Sequence, residues 1–235
     1  VRIAMTVAEA GQGQGILARV ISEAPGSDGV PRVVFAEDEG RINADLTIGV
    51  DVKSAKPLRA NEAIASPGVK LHGAGFIVTV EEARALGLFE QPGIEKHLRP
   101  YLNGRDLSQR SRGNLVIDFL GSTEEDIREQ FPALYQHLLL HVKPERDGNN
   151  RATYRDNWWL HGEARKDIRP ALNNLSRILV TPVTPKHRFF VFVDGQVLPD
   201  DALIIIASNE AFVLGVLSSS THLAWTTANA GSLGS

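Results

Sequence analysis

The chain has 235 residues, of which 43% are hydrophobic and 23% are charged, a composition typical of a soluble globular protein with one large or two small domains. It contains no cysteine, which excludes disulfide bonds, cysteine-ligated zinc and thiol nucleophiles and agrees with a cytoplasmic location. The net charge of -3 is unevenly distributed along the chain. Residues 1–95 contain 9 basic (Lys and Arg) and 13 acidic (Asp and Glu) residues, residues 96–188 contain 16 basic and 11 acidic residues, and residues 189–235 contain 0 basic and 4 acidic residues. The middle of the chain is therefore locally basic, which suits a polyanionic partner. No apolar run approaches ~20 residues and no charged leader opens the chain, so neither a membrane span nor a signal peptide is expected.

Residues 1–60 contain four strand-like segments, RIAMTV, ILARVIS, RVVFAE and DLTIGV, separated by Gly-rich and acidic turns, which predicts a β meander. Three glycines in residues 11–15 imitate a dinucleotide-binding loop. Such a loop must open a helix, whereas the next segment is short and β-branched, so a plain turn is preferred. A nucleotide-binding transferase using this loop is kept as an alternative. The chain opens on RIAMTV without an initiator Met, which indicates a fragment of a larger protein.

Helices and strands then alternate. Thr79-x-x-Glu82 is a capping-box pattern that predicts a helix start, residues 94–102 are predicted to form a short helix, and LVIDF a strand. A second capping-box pattern, Ser122-x-x-Glu125, leads into FPALYQHLLLHV, whose apolar residues recur at helical spacing. This part of the chain is therefore predicted to be mixed α/β.

The last third begins with a predicted loop over residues 145–157 and a helix over residues 158–172. The adjacent Trp158 and Trp159 cannot face the same way on a helix, so one is expected in the core and the other at the surface. Strands are predicted at ILVTPV, RFFVFV and ALIIIA, and a final helix over residues 209–229. Together the elements predict a mixed α/β (α+β) fold with irregular mixed sheets and several packed helices.

Catalytic motifs are absent from the sequence. The seven histidines never form H-E-x-x-H, the serine triplet before His222 lacks a G-x-S-x-G elbow, and no G-x-x-x-x-G-K-[ST] occurs. His137 and His141 are four residues apart but lack a carboxylate partner pattern, and two half-exposed helix residues are the simpler interpretation. No catalytic residue and no metal ligand are assigned.

Basic, amide and aromatic residues interleave in residues 142–192, a mixture that can hold a nucleic-acid backbone and present hydrogen-bonding groups to bases. Lys186, His187 and Arg188 stand at the start of the predicted strand FFVFV, where they are suited to phosphate contacts, although a solvated strand end is the plain alternative.

Further candidate contacts lie in two loops. The predicted loop over residues 145–157 offers guanidinium and amide groups that can reach base edges, while Asx turns and surface salt bridges are the simpler explanation. Asp200 and Asp201 are predicted in a turn that could lie near the bases. The predicted DNA-binding residues are therefore Arg146, Asn149, Arg151, Arg155, Lys186, His187, Arg188, Asp200 and Asp201.

Several blocks of the chain resemble, in the same order, the target recognition domain of MmeI-like type II restriction-modification enzymes. The blocks are residues 98–107, 142–147, 158–160, 186–190 and 214–219, followed by His222 and Trp225. The resemblance covers nearly the whole chain. The opening RIAMTV also resembles the last strands of that family's adenine methyltransferase domain.

The resemblance implies a single-chain enzyme that joins an endonuclease, an N6-adenine DNA methyltransferase and this recognition domain. The family's Asn-Pro-Pro-Tyr type motif and methyl-donor loop do not occur in this sequence, so no catalysis and no cofactor are expected here. S-adenosylmethionine, and Mg²⁺ for cleavage, would belong to the full-length enzyme.

The domain expectation follows from the same resemblance. Residues 1–60 would be a strand-rich remnant of the methyltransferase domain with a connector, and residues 61–235 a C-terminally incomplete recognition domain. Expected partners are double-stranded DNA and the methyltransferase and endonuclease domains of the same polypeptide, with no membrane. A protein-interaction module is the second alternative.

Overall fold

The computed structural model describes residues 5–7, 13–26, 29–43, 46–51, 54–185 and 187–229. The chain divides into two compact units, one formed by residues 1–57 with 225–235 and the other by residues 58–224. Across the described residues, no helix is both long enough and apolar enough to cross a membrane.

The smaller unit contains a two-stranded antiparallel ribbon of β1 (Gly15–Ala24) and β2 (Arg32–Gly40). Both strands are rich in β-branched residues, which favour extended backbone, and the register shifts between Val20 and Ser22. Most residues of the ribbon are exposed. The strands predicted at ILARVIS and RVVFAE are thus both formed.

The structure differs from the other predictions made for residues 1–60. DLTIGV contributes only an isolated bridge between Ile42 and Ile48. Within RIAMTV, residues 5–7 form no strand, and the remainder lies outside the described residues. The chain is a β-strand from Gly15 onward, so the helix that a dinucleotide-binding loop must open is not formed. The strand counts against the dinucleotide-binding fingerprint on which that alternative rests, and residues 11–12 of the loop lie outside the described part.

The larger unit mixes helices and sheets, which confirms the predicted α/β class. Its strands are β3 (Ala65–Pro67), β4 (Ile77–Val78), β5 (Leu98–Leu102), β6 (Leu115–Ile117), β7 (Arg177–Pro182), β8 (Val191–Asp194), β9 (Leu198–Pro199) and β10 (Leu203–Ile206). Its helices are α1 (Val80–Ala85), α2 (Gly104–Ser108), α3 (Glu124–Gln130), α4 (Pro132–His141), α5 (Lys143–Asp147), α6 (Ala152–Asp156), α7 (Arg169–Leu172), α8 (Ala211–Leu217) and α9 (Ser220–Asn229), the last of which continues into residues of the smaller unit.

The strands form two four-stranded sheets. One has the order β3-β10-β7-β8 and is antiparallel throughout. The other has the order β4-β6-β5-β9, in which β5 and β9 run parallel and the remaining pairs antiparallel. The predicted strands ILVTPV, ALIIIA and LVIDF correspond to β7, β10 and β6.

Two apolar clusters form the core of this unit. The larger packs the second sheet against α1, α3 and α4 and includes Phe76, Leu134, Leu138 and Trp158. The smaller packs β7 and β10 against Ile168. Trp158 is buried while Trp159 is half-buried, as predicted, and the indole of Trp159 donates to the carbonyl of Ser122 over 3.1 Å.

Both predicted capping boxes are formed at helix starts, but one of them is shifted by one residue. The capping box of Thr79 and Glu82 opens α1 as predicted. The second box is formed one residue later than predicted, by Thr123 and Asp126, whose side chains each accept from the other's backbone amide. The main helix of this region begins at Pro132.

Two predicted helices are wrong, and a third is formed with a break. Residues 94–102 form a short 3-10 helix followed by β5, because that segment pairs with β6 and β9. The helix predicted over residues 158–172 is replaced by turns and the short α7, because Glu163 exchanges two backbone hydrogen bonds with Lys70, which removes it from any helix. The final predicted helix is divided at residues 218–219 into α8 and α9.

The predicted loop over residues 145–157 contains most of α5 and the whole of α6 instead.

Candidate nucleic-acid interface

The described residues form two clefts lined by cationic side chains, one of about 560 Å³ and one of about 640 Å³. The larger one lies beside the predicted phosphate-contacting segment. It is formed by α2, the end of β7, the loop that follows β7 and the turn before β10, and His187 lines it.

Helix α2 holds one wall of this cleft rigidly although it has only five residues. The Asn103 side chain accepts from the backbone amides of Arg105 and Asp106, each over 3.0 Å, and Asp106 accepts in return from the Asn103 amide. The buried carboxylate of Asp106 also binds the guanidinium of Arg112 through two bonds of 2.8 Å. This charged hydrogen bond from Arg112 lowers the pKa of Asp106, so the carboxylate stays ionised and the helix start stays anchored.

Exposed polar groups of α2 therefore have a fixed position. Arg105 projects into the cleft and donates from Nε to the side-chain oxygen of Gln109 over 3.1 Å. Both residues line the cleft and are exposed. Neither was predicted as a contact. The N-capping pattern Asn103-x-x-Asp106 was the sequence signal that could have placed an exposed helix start there.

The loop after β7 forms the opposite wall. His187 and Arg188 are exposed, as a phosphate contact requires, whereas Lys186 lies outside the described residues. Phe190 packs against the ring of His222 with centroids 5.6 Å apart, and β8 begins at Val191 rather than directly after the basic residues. The loop is thus anchored by an aromatic contact just before the sheet resumes.

Asp200 is held in the turn at the edge of the same cleft. Its Oδ2 accepts from the hydroxyl of Tyr101 and its Oδ1 from the backbone amide of Ala202 over 3.0 Å. Burial and this hydrogen bond raise the pKa of Tyr101, so the phenol remains a donor. Both acceptor atoms of Asp200 therefore stabilise the turn.

The carboxylate of Asp201 is held less tightly than that of Asp200. Its carboxylate lies 3.8 Å from the ammonium of Lys70, and both side chains are partly exposed. The turn approaches residue 68 so closely that a Cβ there would lie 2.2 Å from the carbonyl oxygen of Pro199, which explains the glycine at that position. Asp201 is thus presented on a fixed backbone with an available carboxylate.

Arg146 is not a DNA contact, contrary to the prediction. It is 1% exposed, and its Nη2 donates to the carbonyls of Leu71 over 2.8 Å and of Leu160 over 3.0 Å. Its guanidinium also lies 4.9 Å from the ring centroid of Tyr154. A phosphate cannot reach this group, because the cation is used to join three segments of the core.

The other residues predicted in this region surround Tyr154. Arg151 donates to the Tyr154 hydroxyl over 3.1 Å, and Arg155 donates to the carbonyl of Asn149 over 2.6 Å. The side chain of Asn149 accepts from the amide of Arg151 over 2.9 Å, which is the simple turn predicted as the alternative. Arg151 and Arg155 are exposed, so their charge remains accessible.

The structure therefore places the predicted residues in two groups. His187 lines the cleft, and Asp200 and Asp201 directly precede Ala202, which also lines it. Asn149, Arg151 and Arg155 form a local cluster on α6 and the turn before it. Among the described residues, no group of three or more His, Asp or Glu side chains is arranged to hold a metal ion.

No protein-family model matches the chain. No curated protein sequence matches it either. Among solved structures the chain is similar to the type IIL restriction-modification enzyme MmeI, which was determined in complex with DNA, with a TM-score of 0.62 and 21% sequence identity. The match covers 94% of this chain and 28% of the MmeI chain, so this chain spans less than a third of that enzyme. The likeness establishes a shared fold.

Proposed function

We propose that this chain is a double-stranded DNA recognition module of a restriction-modification enzyme, which positions a target site for chemistry performed by other domains. One observation carries the proposal: 94% of this chain matches 28% of the chain of an enzyme that was solved on DNA. The local excess of 16 basic over 11 acidic residues in residues 96–188 is consistent with a polyanionic partner.

The 640 Å³ cleft suggests how the module would hold DNA. Arg105 on one wall and Arg188 beside the other offer guanidinium groups to phosphates, and His187 adds a further donor. Phosphate contacts of this kind set the position of a protein on the duplex but carry no sequence information. We assign these residues, with Lys186 from the sequence, to backbone binding.

Base reading would fall to groups that are accessible and held at a fixed position. Asp201 can accept from the amino group of cytosine, and Arg151 and Arg155 can donate to guanine in the major groove. Asp200 supports Asp201 by fixing the turn, and Asn149 supports Arg155 through its carbonyl.

Catalysis is proposed to lie outside this chain. The target adenine of an N6-adenine methyltransferase must leave the base stack before its amino group can react, and S-adenosylmethionine must be bound beside it. This chain contributes the register, while the methyltransferase and the Mg²⁺-dependent endonuclease of the same polypeptide would contribute the reacting groups. Residues 1–60 are proposed to be the end of that methyltransferase domain with its connector.

The test is a titration of fluorescent duplex DNA with the 235-residue chain at several salt concentrations. We expect log K to fall linearly with log salt, and Arg188→Gln to reduce the slope by about one, since one phosphate contact is lost. Arg128→Gln is the matched control, because it removes the same charge from an exposed position on α3 that does not line the cleft. Negligible affinity at low salt would reject the proposal and favour a protein-interaction module.

A further inference from the structure

A second cleft, of about 560 Å³, lies away from the residues assigned to DNA above. It is formed by the segment around β5, the end of β6, α7 with the link to β7, and the turn after β8. The charged side chains among its lining residues are Lys96, Arg99, Arg169 and Asp118. Three cations against one carboxylate leave an excess of two positive charges in one concave site.

Asp118 lies close to two of these cations, Arg169 and Arg99, but its single negative charge does not balance the three positive charges. It is 7% exposed and accepts from Arg169 Nη1 over 2.8 Å, whereas Arg99 Nη1 stays 3.7 Å from the same carboxylate oxygen. Burial alone would raise the pKa of Asp118, but the neighbouring Arg169 and Arg99 charges hold it below its usual range. The carboxylate therefore remains ionised, and its strongest partner is Arg169.

Arg99 is fixed by contacts on each of its guanidinium nitrogens: Nη2 donates to the carbonyl of Gly195 over 3.5 Å, and Nη1 lies 3.7 Å from the Asp118 carboxylate. Its Nε donates to the carbonyl of Gln196 over 3.1 Å, which orients the guanidinium along the wall of the cleft. Lys96 is exposed and forms no ion pair with any residue of the described segments. Arg99 is thus an oriented cation whose nearest carboxylate stays 3.7 Å away, and Lys96 is the cation that is free to bind an anion.

Neutral hydrogen-bonding groups complete the lining. Asn173 and Asn174 lie in the link after α7, where Asn174 has a φ of 66°, a left-handed conformation that asparagine tolerates better than most residues. Both are exposed, and their side-chain amides can donate to an oxyanion. His97 donates from Nδ1 to the carbonyl of Asp118 over 3.1 Å, which fixes the ring at the edge of this lining.

We propose that this cleft, with Lys96 and Arg99 as its principal contacts, binds a phosphate group. Guanidinium and ammonium groups together with amide donors match the oxygens of a phosphate, and the volume leaves room for the molecule that carries it. The phosphate could belong to a DNA backbone or to a free phosphorylated ligand. The proposal depends on the residues of this cleft alone and does not require the DNA-recognition function to be correct.

The test uses the 235-residue chain with inorganic phosphate as the probe, titrated against sodium chloride at constant ionic strength. Binding is followed by the NMR shifts of the backbone amides of Gly195 and Gln196, which line the cleft. We expect saturable shifts that Lys96→Gln and Arg99→Gln weaken at least about tenfold, because each removes a charged donor. Arg128→Gln, which makes the same charge change outside the cleft, should leave the titration unchanged.

Lys96→Gln keeps the test decisive if Arg99→Gln impairs folding, because Lys96 is exposed and does not contact the buried Asp118. The absence of saturable shifts in the wild-type chain, or equal binding by the wild type and both variants, would overturn the proposal. Binding that Arg128→Gln weakens as much as Lys96→Gln would also overturn it, because the effect would then be one of overall charge.

A second arm identifies the source of the phosphate. If duplex DNA displaces inorganic phosphate, and Lys96→Gln reduces the salt slope of duplex binding by about one, the source is the DNA backbone. If phosphate still saturates the cleft in the presence of bound duplex, the source is a free phosphorylated ligand. A chain that binds no DNA at all would refute the proposed function but leave the phosphate titration intact.

Discussion

Arg146 and Arg151 are five residues apart in the same basic stretch, yet their surroundings are opposite. Arg146 is enclosed by the core and donates to two backbone carbonyls, whereas Arg151 is exposed and its guanidinium contacts the ring and hydroxyl of Tyr154. Charge and position in the sequence are alike, so only burial separates a structural cation from an available one. This difference leads to opposite expectations for the two substitutions.

Arg146→Ala is expected to lower the free energy of unfolding by about 3 kcal/mol, because it removes a large buried side chain together with its hydrogen bonds to the Leu71 and Leu160 carbonyls. Arg151→Ala should change it by no more than about 0.5 kcal/mol, as is usual for an exposed residue. Urea denaturation of both variants measures the difference.

Duplex binding by the folded protein should show the reverse order, with Arg151→Ala weakened and Arg146→Ala unchanged at temperatures where it is folded. A stable Arg146→Ala variant that had lost DNA affinity would restore Arg146 as a contact and contradict the structural role.

At the scale of elements, helix starts depend on which residue offers its side chain to the first free amides. Both Ser122 and Thr123 precede α3 and both have an acidic residue three positions later. The backbone decides between them: Thr123 is extended, and its hydroxyl accepts from the Asp126 amide over 3.2 Å. Ser122 instead uses its backbone carbonyl to accept from Trp159.

Thr123→Ala is therefore expected to cost about 1 kcal/mol of stability, the usual loss when an N-capping side chain is removed. Ser122→Ala should be nearly neutral, since its carbonyl is retained. Thermal unfolding of the two variants distinguishes them, and a larger loss for Ser122→Ala would show that the cap is at the residue first predicted from the sequence.

At the scale of the whole molecule, the two units should differ in how readily their backbone opens. The ribbon of β1 and β2 is two-stranded and largely exposed, whereas β7 lies inside a four-stranded sheet and five of its six residues are buried. A two-stranded ribbon has few buried contacts to oppose opening, so its hydrogen bonds are expected to break more often.

Hydrogen exchange followed by mass spectrometry should therefore show amides of β1 and β2 exchanging at least about 100-fold faster than those of β7. The measurement on the 235-residue chain needs no ligand. Equal protection of the ribbon and β7 would mean that the ribbon is stabilised by contacts beyond its own pairing.

Features that depend on neighbouring residues could be predicted from the sequence. Apolar runs predicted β7 and β10, the Thr79 and Glu82 pattern predicted the start of α1, and the paired tryptophans predicted one buried and one partly exposed ring. The uneven charge was also visible without coordinates. Each of these depends on local backbone preference or on the burial of apolar side chains, which a short window of sequence contains.

Features that depend on contacts between distant segments could be seen only in the folded chain. Glu163 pairs with Lys70 across 93 positions of the sequence, and this pairing replaces the helix expected over residues 158–172. Distant segments likewise determine the burial of Arg146 and the position of Arg105 in the wall of its cleft. They also bring Lys96, Arg99 and Asp118 together in one cleft. No local pattern encodes such contacts, because the free energy that favours them comes from burial and hydrogen bonding completed only when the chain has folded.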